Sequence, residues 1–219
     1  MLISDLPKVI AILKKESRRF QAPAVTEVAE EIRASPFRVL ISCIISLRTK
    51  DDVTRAASKR LFTLAGTPEA MARLKPVEVE KAIYPAGFYR TKAKTIIDIS
   101  RELVERRSSK VPDTMDGLLE LKGVGRKTAN LVLTLGFGKP GICVDTHVHR
   151  ISNRWGLVKT KTPEETEYAL REVLPRRYWI PINDLLVAYG QNVCGPVSPF
   201  CGLCAIARWC ERAGVKRSR

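Results

Sequence analysis

Acids are scarce in this chain. Of its 219 residues, 23 are Asp or Glu against 38 Lys or Arg, leaving a formal net charge of +15 and a sequence pI near 9.8. That imbalance implies an anionic partner, and nucleic acid is the commonest polyanion a soluble chain meets; a basic protein without one is the plainer alternative. Long apolar runs are missing as well. The most apolar stretch, Val39 to Ile45 (VLISCII), gives way to Arg48, far too soon to span a bilayer, and reads as a buried helix. The opening MLISDLPKVIAILKKE lacks the basic start, apolar core and small-residue cleavage site of an export signal. The expected setting is therefore a reducing compartment, the cytoplasm or nucleoid (the nucleus in a eukaryote), without membrane contact. Internal repeats and low-complexity segments are absent, and period-two alternation is rare, which argues against half-buried strands.

What is present is helical patterning. Ala93, Ile96, Ile97, Ser100, Leu103 and Val104 recur at three- and four-residue spacing and predict an amphipathic helix. Thr162-Pro163-Glu164-Glu165 predicts a capping box with proline at the first helical position, opening a helix to about Leu174. Pro68, Pro76, Pro112 and Pro181 punctuate further helices, and the basic end VKRSR is expected to fray. The fold class is all-α. A hydrophobic share of 45% with 28% charged residues argues against disorder, and the length suits two small domains.

The six cysteines are distributed unevenly. Cys194, Cys201, Cys204 and Cys210 form C-x6-C-x2-C-x5-C near the end of the chain, close enough to face one centre. A zinc ion or an iron–sulfur cube would satisfy four such thiolates; the uneven spacing leans toward a [4Fe–4S] cluster, because structural zinc sites usually separate two close pairs by a longer insert. Cys43 and Cys143 sit in apolar surroundings and read as core residues. Only two histidines occur, His147 and His149, without partners at metal spacing, and they read as structural.

In the stretch LKGVGRKTAN, Leu118, Leu119 and Leu121 end a short helix, Gly123-Val124-Gly125 turns, and Lys127 to Phe137 continues as a second helix. Such a helix-hairpin-helix can hold a DNA phosphate on its turn amides without reading a base, although glycine turns between helices also occur with no ligand. Asp145, in VDTHVHR, is placed to N-cap the next helix.

These motifs together, LKGVGRKTANLVLTLGFGKP, then GICVDTHVHRISNRWGL, then the cysteine tail, resemble endonuclease III, the DNA glycosylase and AP lyase of the helix-hairpin-helix superfamily. The resemblance covers roughly residues 5 to 212. It implies two helical domains, a six-helix one over 27–139 and an iron–sulfur one over 1–26 plus 140–219, with DNA in the cleft between them. It makes Lys127 the nucleophile, Asp145 its catalytic partner, and the four tail cysteines the ligands of a [4Fe–4S] cluster. The implied partner is double-stranded DNA carrying damaged bases or abasic sites, met by a monomer. The loop AGFYRTKAK places Phe88 as a wedge into the duplex, the alternative being a core aromatic, with Tyr89, Arg90 and Lys92 beside it. DNA contacts are further implied at Arg48, Lys122, Gly123, Val124, Gly125 and Arg126.

Three positions depart from the family pattern. Arg48 stands where glutamine is common and faces the orphaned base, so opposite-base preference should differ. Lys122 replaces the hairpin proline, and the loop GPVSPF between Cys194 and Cys201 has no basic side chain, shifting contacts to Arg208 or to Lys216, Arg217 and Arg219. The alternatives are a monofunctional adenine or mismatch glycosylase, or a non-catalytic lesion binder. Lys127 argues against the first, as does Cys43 where the adenine branch places an acid; having both Lys127 and Asp145 argues against the second.

Overall fold

The computed structural model describes residues 3–20, 24–26 and 35–219, and no strand occurs among the described residues. In chain order the helices are α1 (Leu6–Ser17), α2 (Pro36–Ser46), α3 (Asp51–Leu64), α4 (Pro68–Ala72), α5 (Pro76–Ile83), α6 (Tyr89–Arg106), α7 (Met115–Leu119), α8 (Arg126–Leu131), α9 (Thr146–Arg154), α10 (Pro163–Val173) and α11 (Pro181–Asn192). Proline opens α2, α4, α5, α10 and α11, where its missing N–H costs nothing and its fixed φ suits a helix. Thr67, Thr114 and Thr162 cap α4, α7 and α10 by accepting a backbone N–H. The Thr162 box closes one residue further out than expected, because Glu165 Oε2 accepts from Lys161 N at 2.9 Å.

The chain divides into two compact units, Met1–Pro23 with Ile142–Arg219, and Ala24–Gly141. Residues 27–34, which open the larger of the two domains implied by resemblance, lie outside the described residues. In the unit Ala24–Gly141, α2 is the central rod: Phe37 and Val39 through Ile45 are all buried, and α3, α6 and α8 pack around it. Among the described residues this unit holds α2 to α8, of which α4 and α7 are only five residues long. The expected α6 forms, burying Ile96, Ile97, Ile99 and Leu103, although Val104 is partly exposed. The helix expected through Phe137 stays α-helical only to Leu131 and continues as a π turn over Val132–Gly136, in which the Thr134 hydroxyl donates to Asn130 O at 2.8 Å.

In the other unit, Leu6, Val9, Ile10 and Leu13 of α1 share a core with Val148 and Ile151 of α9, Leu170 of α10, and Ile182, Leu186 and Tyr189 of α11. The chain end does not fray. Arg219 N donates to Pro199 O at 2.8 Å, Arg219 O accepts from Gly202 N at 2.9 Å, and the Arg219 guanidinium stacks 3.9 Å over Phe200. Among the described residues no helix is long and apolar enough to cross a membrane.

Candidate functional site

The hairpin is built from α7, a turn, and α8. Leu118, Leu121 and Val124 are buried, and these three side chains pin the turn to the protein. Lys122, Gly123 and Gly125 are left at the surface. Gly123 has φ +87, and a Cβ there would stand 2.9 Å from Thr95 Cγ2, so glycine is required on two counts. Gly125 differs: a Cβ there would meet nothing within 4 Å, so the protein itself does not demand glycine and the space lies open. Arg126 and Lys127 form the first turn of α8, Arg126 half-buried and Lys127 exposed. Beneath them burial pushes the Cys43 thiol up to about 12, with the charge of Lys127 as the smaller, opposing influence. A neutral thiol therefore lies within electrostatic reach of Lys127, in place of an acid. Cys143 is buried too.

Asp145 caps α9. Its Oδ1 accepts from His147 N at 2.8 Å and Val148 N at 2.9 Å, the arrangement expected from the sequence. The two histidines are held by neighbours: His147 Nδ1 lies 3.0 Å from an Arg150 nitrogen, and His149 Nδ1 lies 2.7 Å from Thr166 Oγ1.

Two loops of the unit Ala24–Gly141 carry the remaining candidates. Phe88 is 63% exposed, which rules out a core role, and it holds a left-handed φ of 58. Arg48 also has a left-handed φ, 51, and its guanidinium sits 5.6 Å over the Phe88 ring. Non-glycine residues rarely adopt this conformation, and such outliers concentrate at working sites. Tyr89 packs edge-on against Tyr84 with centroids 5.4 Å apart, and the exposed Arg90 stacks on Tyr89. Lys92 contradicts its expected role. It is 6% exposed, and its ammonium donates to Ile45 O and Thr49 Oγ1 inside the protein, so it presents no free ammonium at the surface. Lys92 shares a helical stripe with the buried Ile96, Ile99 and Leu103, and that periodicity was the available signal.

The four tail cysteines, all half-buried, line one pocket with Arg154, Tyr189, Phe200 and Val215. Among the described residues no three His, Cys, Asp or Glu side chains converge closely enough to hold a single metal ion. Hydrogen-bond donors point at the sulfurs: Arg154 at Cys194 Sγ (3.3 Å), Tyr189 OH at Cys204 Sγ (3.2 Å) and Arg212 N at Cys210 Sγ (3.4 Å). Sequence reasoning missed the clasp that shapes this loop. Arg154 donates to Gly195 O and Pro196 O at 2.7 and 2.6 Å, and Arg150, one turn earlier on α9, donates to Cys194 O at 2.8 Å. Their four-residue spacing puts both on one helix face.

Residues 41–176 match the HhH-GPD superfamily of base excision DNA repair proteins. Endonuclease III of Thermotoga maritima is 50% identical over 196 residues, covering 85% of this chain and 92% of that one. Among solved structures, a non-covalent endonuclease III–DNA complex superposes with a TM-score of 0.84 at 30% identity, covering 97% of this chain and 96% of that one. A trapped endonuclease III–DNA covalent intermediate gives 0.76 at 32% identity, covering 86% and 93%. With its hairpin, its capped aspartate and its cysteine loop in the family's order, the chain belongs to the endonuclease III family of the HhH-GPD superfamily.

Proposed function

We propose that the chain is a base excision repair DNA glycosylase with AP lyase activity, acting on oxidised or otherwise damaged pyrimidines and on abasic sites in double-stranded DNA. The observation that carries this reading is Lys127: an exposed amine on the first turn after the hairpin, in a chain half identical to an endonuclease III. A trapped covalent intermediate with DNA in a relative requires a protein nucleophile, and Lys127 is this chain's candidate.

The chemistry suits an amine. As the neutral base, Lys127 Nζ attacks the sugar C1′ and the damaged base leaves with the bonding electrons. Asp145 accepts a proton or offsets the positive charge that develops on the sugar. The nitrogen then forms a Schiff base with the opened sugar, and this electron sink permits β-elimination of the 3′ phosphate, which nicks the strand. C1′ becomes reachable only when the nucleotide leaves the stack, a step made easier where a lesion pairs poorly. The hairpin turn would grip a phosphate beside the lesion, Gly125 giving the backbone room to approach and Lys122 adding charge.

Cys194, Cys201, Cys204 and Cys210 would hold a [4Fe–4S] cluster. Support comes from four sulfurs lining one pocket and from cationic and neutral donors aimed at them, as anionic sulfurs need. When bound, such a cluster cross-links the loop. Iron and sulfide counts on purified protein, with visible absorbance, test the assignment, and protein without iron would sink it. The activity itself is tested on a duplex with one oxidised pyrimidine: base release and a nick without added alkali are expected. Base release with no nick would point to a monofunctional enzyme.

A further inference from the structure

The loops bearing Arg48 and Phe88 are joined by a hydrogen-bonded node to which neither side chain belongs. Lys92 Nζ lies 2.6 Å from Ile45 O and 2.7 Å from Thr49 Oγ1, with Leu47 O as its third acceptor. The three protons of the ammonium are thereby all engaged. Thr49 Oγ1 also accepts from Gly87 N at 3.1 Å and donates to Leu47 O at 3.3 Å, which uses both lone pairs and the hydroxyl proton. The contact is close: a Cβ on Gly87 would stand 2.5 Å from Arg48 O. A carbon side chain at 92 would fill the slot without burying an ammonium, but it would take one donor away from each of the three acceptors. Arg48 and Phe88 flank the node, each in a left-handed conformation and stacked on the other. Such conformations persist only where the surroundings over-determine them, and the node supplies that constraint here.

We propose that Lys92 and Thr49 are positioning residues that hold Arg48 and Phe88 as one preassembled probe of the base stack, and thereby set nucleotide extrusion and opposite-base tolerance. This rests on the reading that Arg48 and Phe88 enter the DNA. Charge on Lys92 is not the device; the shared hydroxyl is.

The test uses the full chain and a duplex carrying an abasic-site analogue opposite 2-aminopurine, whose fluorescence reports unstacking. Single-turnover rates against the four opposite bases accompany it. Thr49→Val removes a hydroxyl that makes three hydrogen bonds and should lower unstacking and opposite-base discrimination by at least about three- to tenfold, the scale set by the net worth of a single hydrogen bond. Thr49→Ser should restore both, and Gly87→Ala, which forces the loops apart, should reproduce the loss. In an Arg48→Ala, Phe88→Ala background, Thr49→Val should add nothing. The proposal is overturned if Thr49→Val shifts only the melting temperature while Phe88→Ala and Arg48→Ala still reduce unstacking. If those two alanine variants themselves leave unstacking unchanged, the reading of the loops as DNA probes fails, and the inference falls with it.

Discussion

Asp145 carries two roles that substitution can separate. Its Oδ1 holds two N–H groups of α9 at 2.8 and 2.9 Å, and the proposed chemistry uses its negative charge. Asparagine offers an oxygen of the same reach and ranks beside aspartate as an N-cap. Asp145→Asn therefore loses only the charge–helix interaction, about 0.3–1 kcal/mol. Asp145→Ala loses the cap outright, about 1 kcal/mol and at most about 2. For a chain of this size each kcal/mol is worth roughly 2–4 °C in melting temperature. Activity should sort differently. Neither amide nor methyl can accept a proton or offset a full positive charge, so single-turnover base release should fall about 10²–10⁴-fold in both variants. Thermal melts paired with single-turnover assays on an oxidised-pyrimidine duplex read the two effects independently. An Asp145→Asn protein with undiminished base release would refute the catalytic role and leave Asp145 a cap alone. Equal melting losses in the two variants would instead refute the cap.

Other consequences follow from the hairpin, the charge and the buried lysine. Gly123→Ala should destabilise by about 1–2 kcal/mol in denaturant melts, the cost of forcing a side chain into the left-handed region. Gly125→Ala should stay within about 0.5 kcal/mol yet weaken duplex binding, because the methyl group occupies space that the protein leaves open. Binding to undamaged duplex should weaken linearly in log salt, with a slope of about −0.9 per phosphate contacted; a flat response would contradict the charge argument. Burial lowers the Lys92 pKa from 10.5 to about 8, so the folded chain sheds this proton before the unfolded chain does. Its burial therefore costs most below pH 8, and stability from this group rises between about pH 8 and 10.5. Measured as the difference between unaltered protein and Lys92→Met, that rise should favour the unaltered chain at pH 9.5 relative to pH 7.5, roughly the flanks of the window.

Local features were legible in the sequence because they are enforced locally. Proline at the first helical position, a threonine or aspartate cap and the apolar stripe of α6 each act over a few residues, and α9 and α10 begin where Asp145 and Thr162-Pro163 predict. The Gly123 turn was legible because φ +87 admits little else. Tertiary placement was not. In FYRTK nothing short of helical phase distinguishes the buried Lys92 from the exposed Arg90, and its acceptors lie more than forty residues away in sequence. The chain end looked like a basic tail, but its backbone docks on the cysteine loop through Pro199 and Gly202, contacts with no sequence signature. Arg150 and Arg154 turn inward because the loop after α11 offers them carbonyls, and those acceptors lie more than forty residues away in sequence.

The central claim is that Lys127 is the nucleophile of a bifunctional glycosylase. Borohydride trapping on duplex DNA containing an oxidised pyrimidine or an abasic site, followed by peptide mapping of the adduct, tests it directly. One covalent protein–DNA adduct is expected, mapped to the peptide containing Lys127 and abolished in Lys127→Ala. An adduct on another residue, or undiminished trapping by Lys127→Ala, would contradict it.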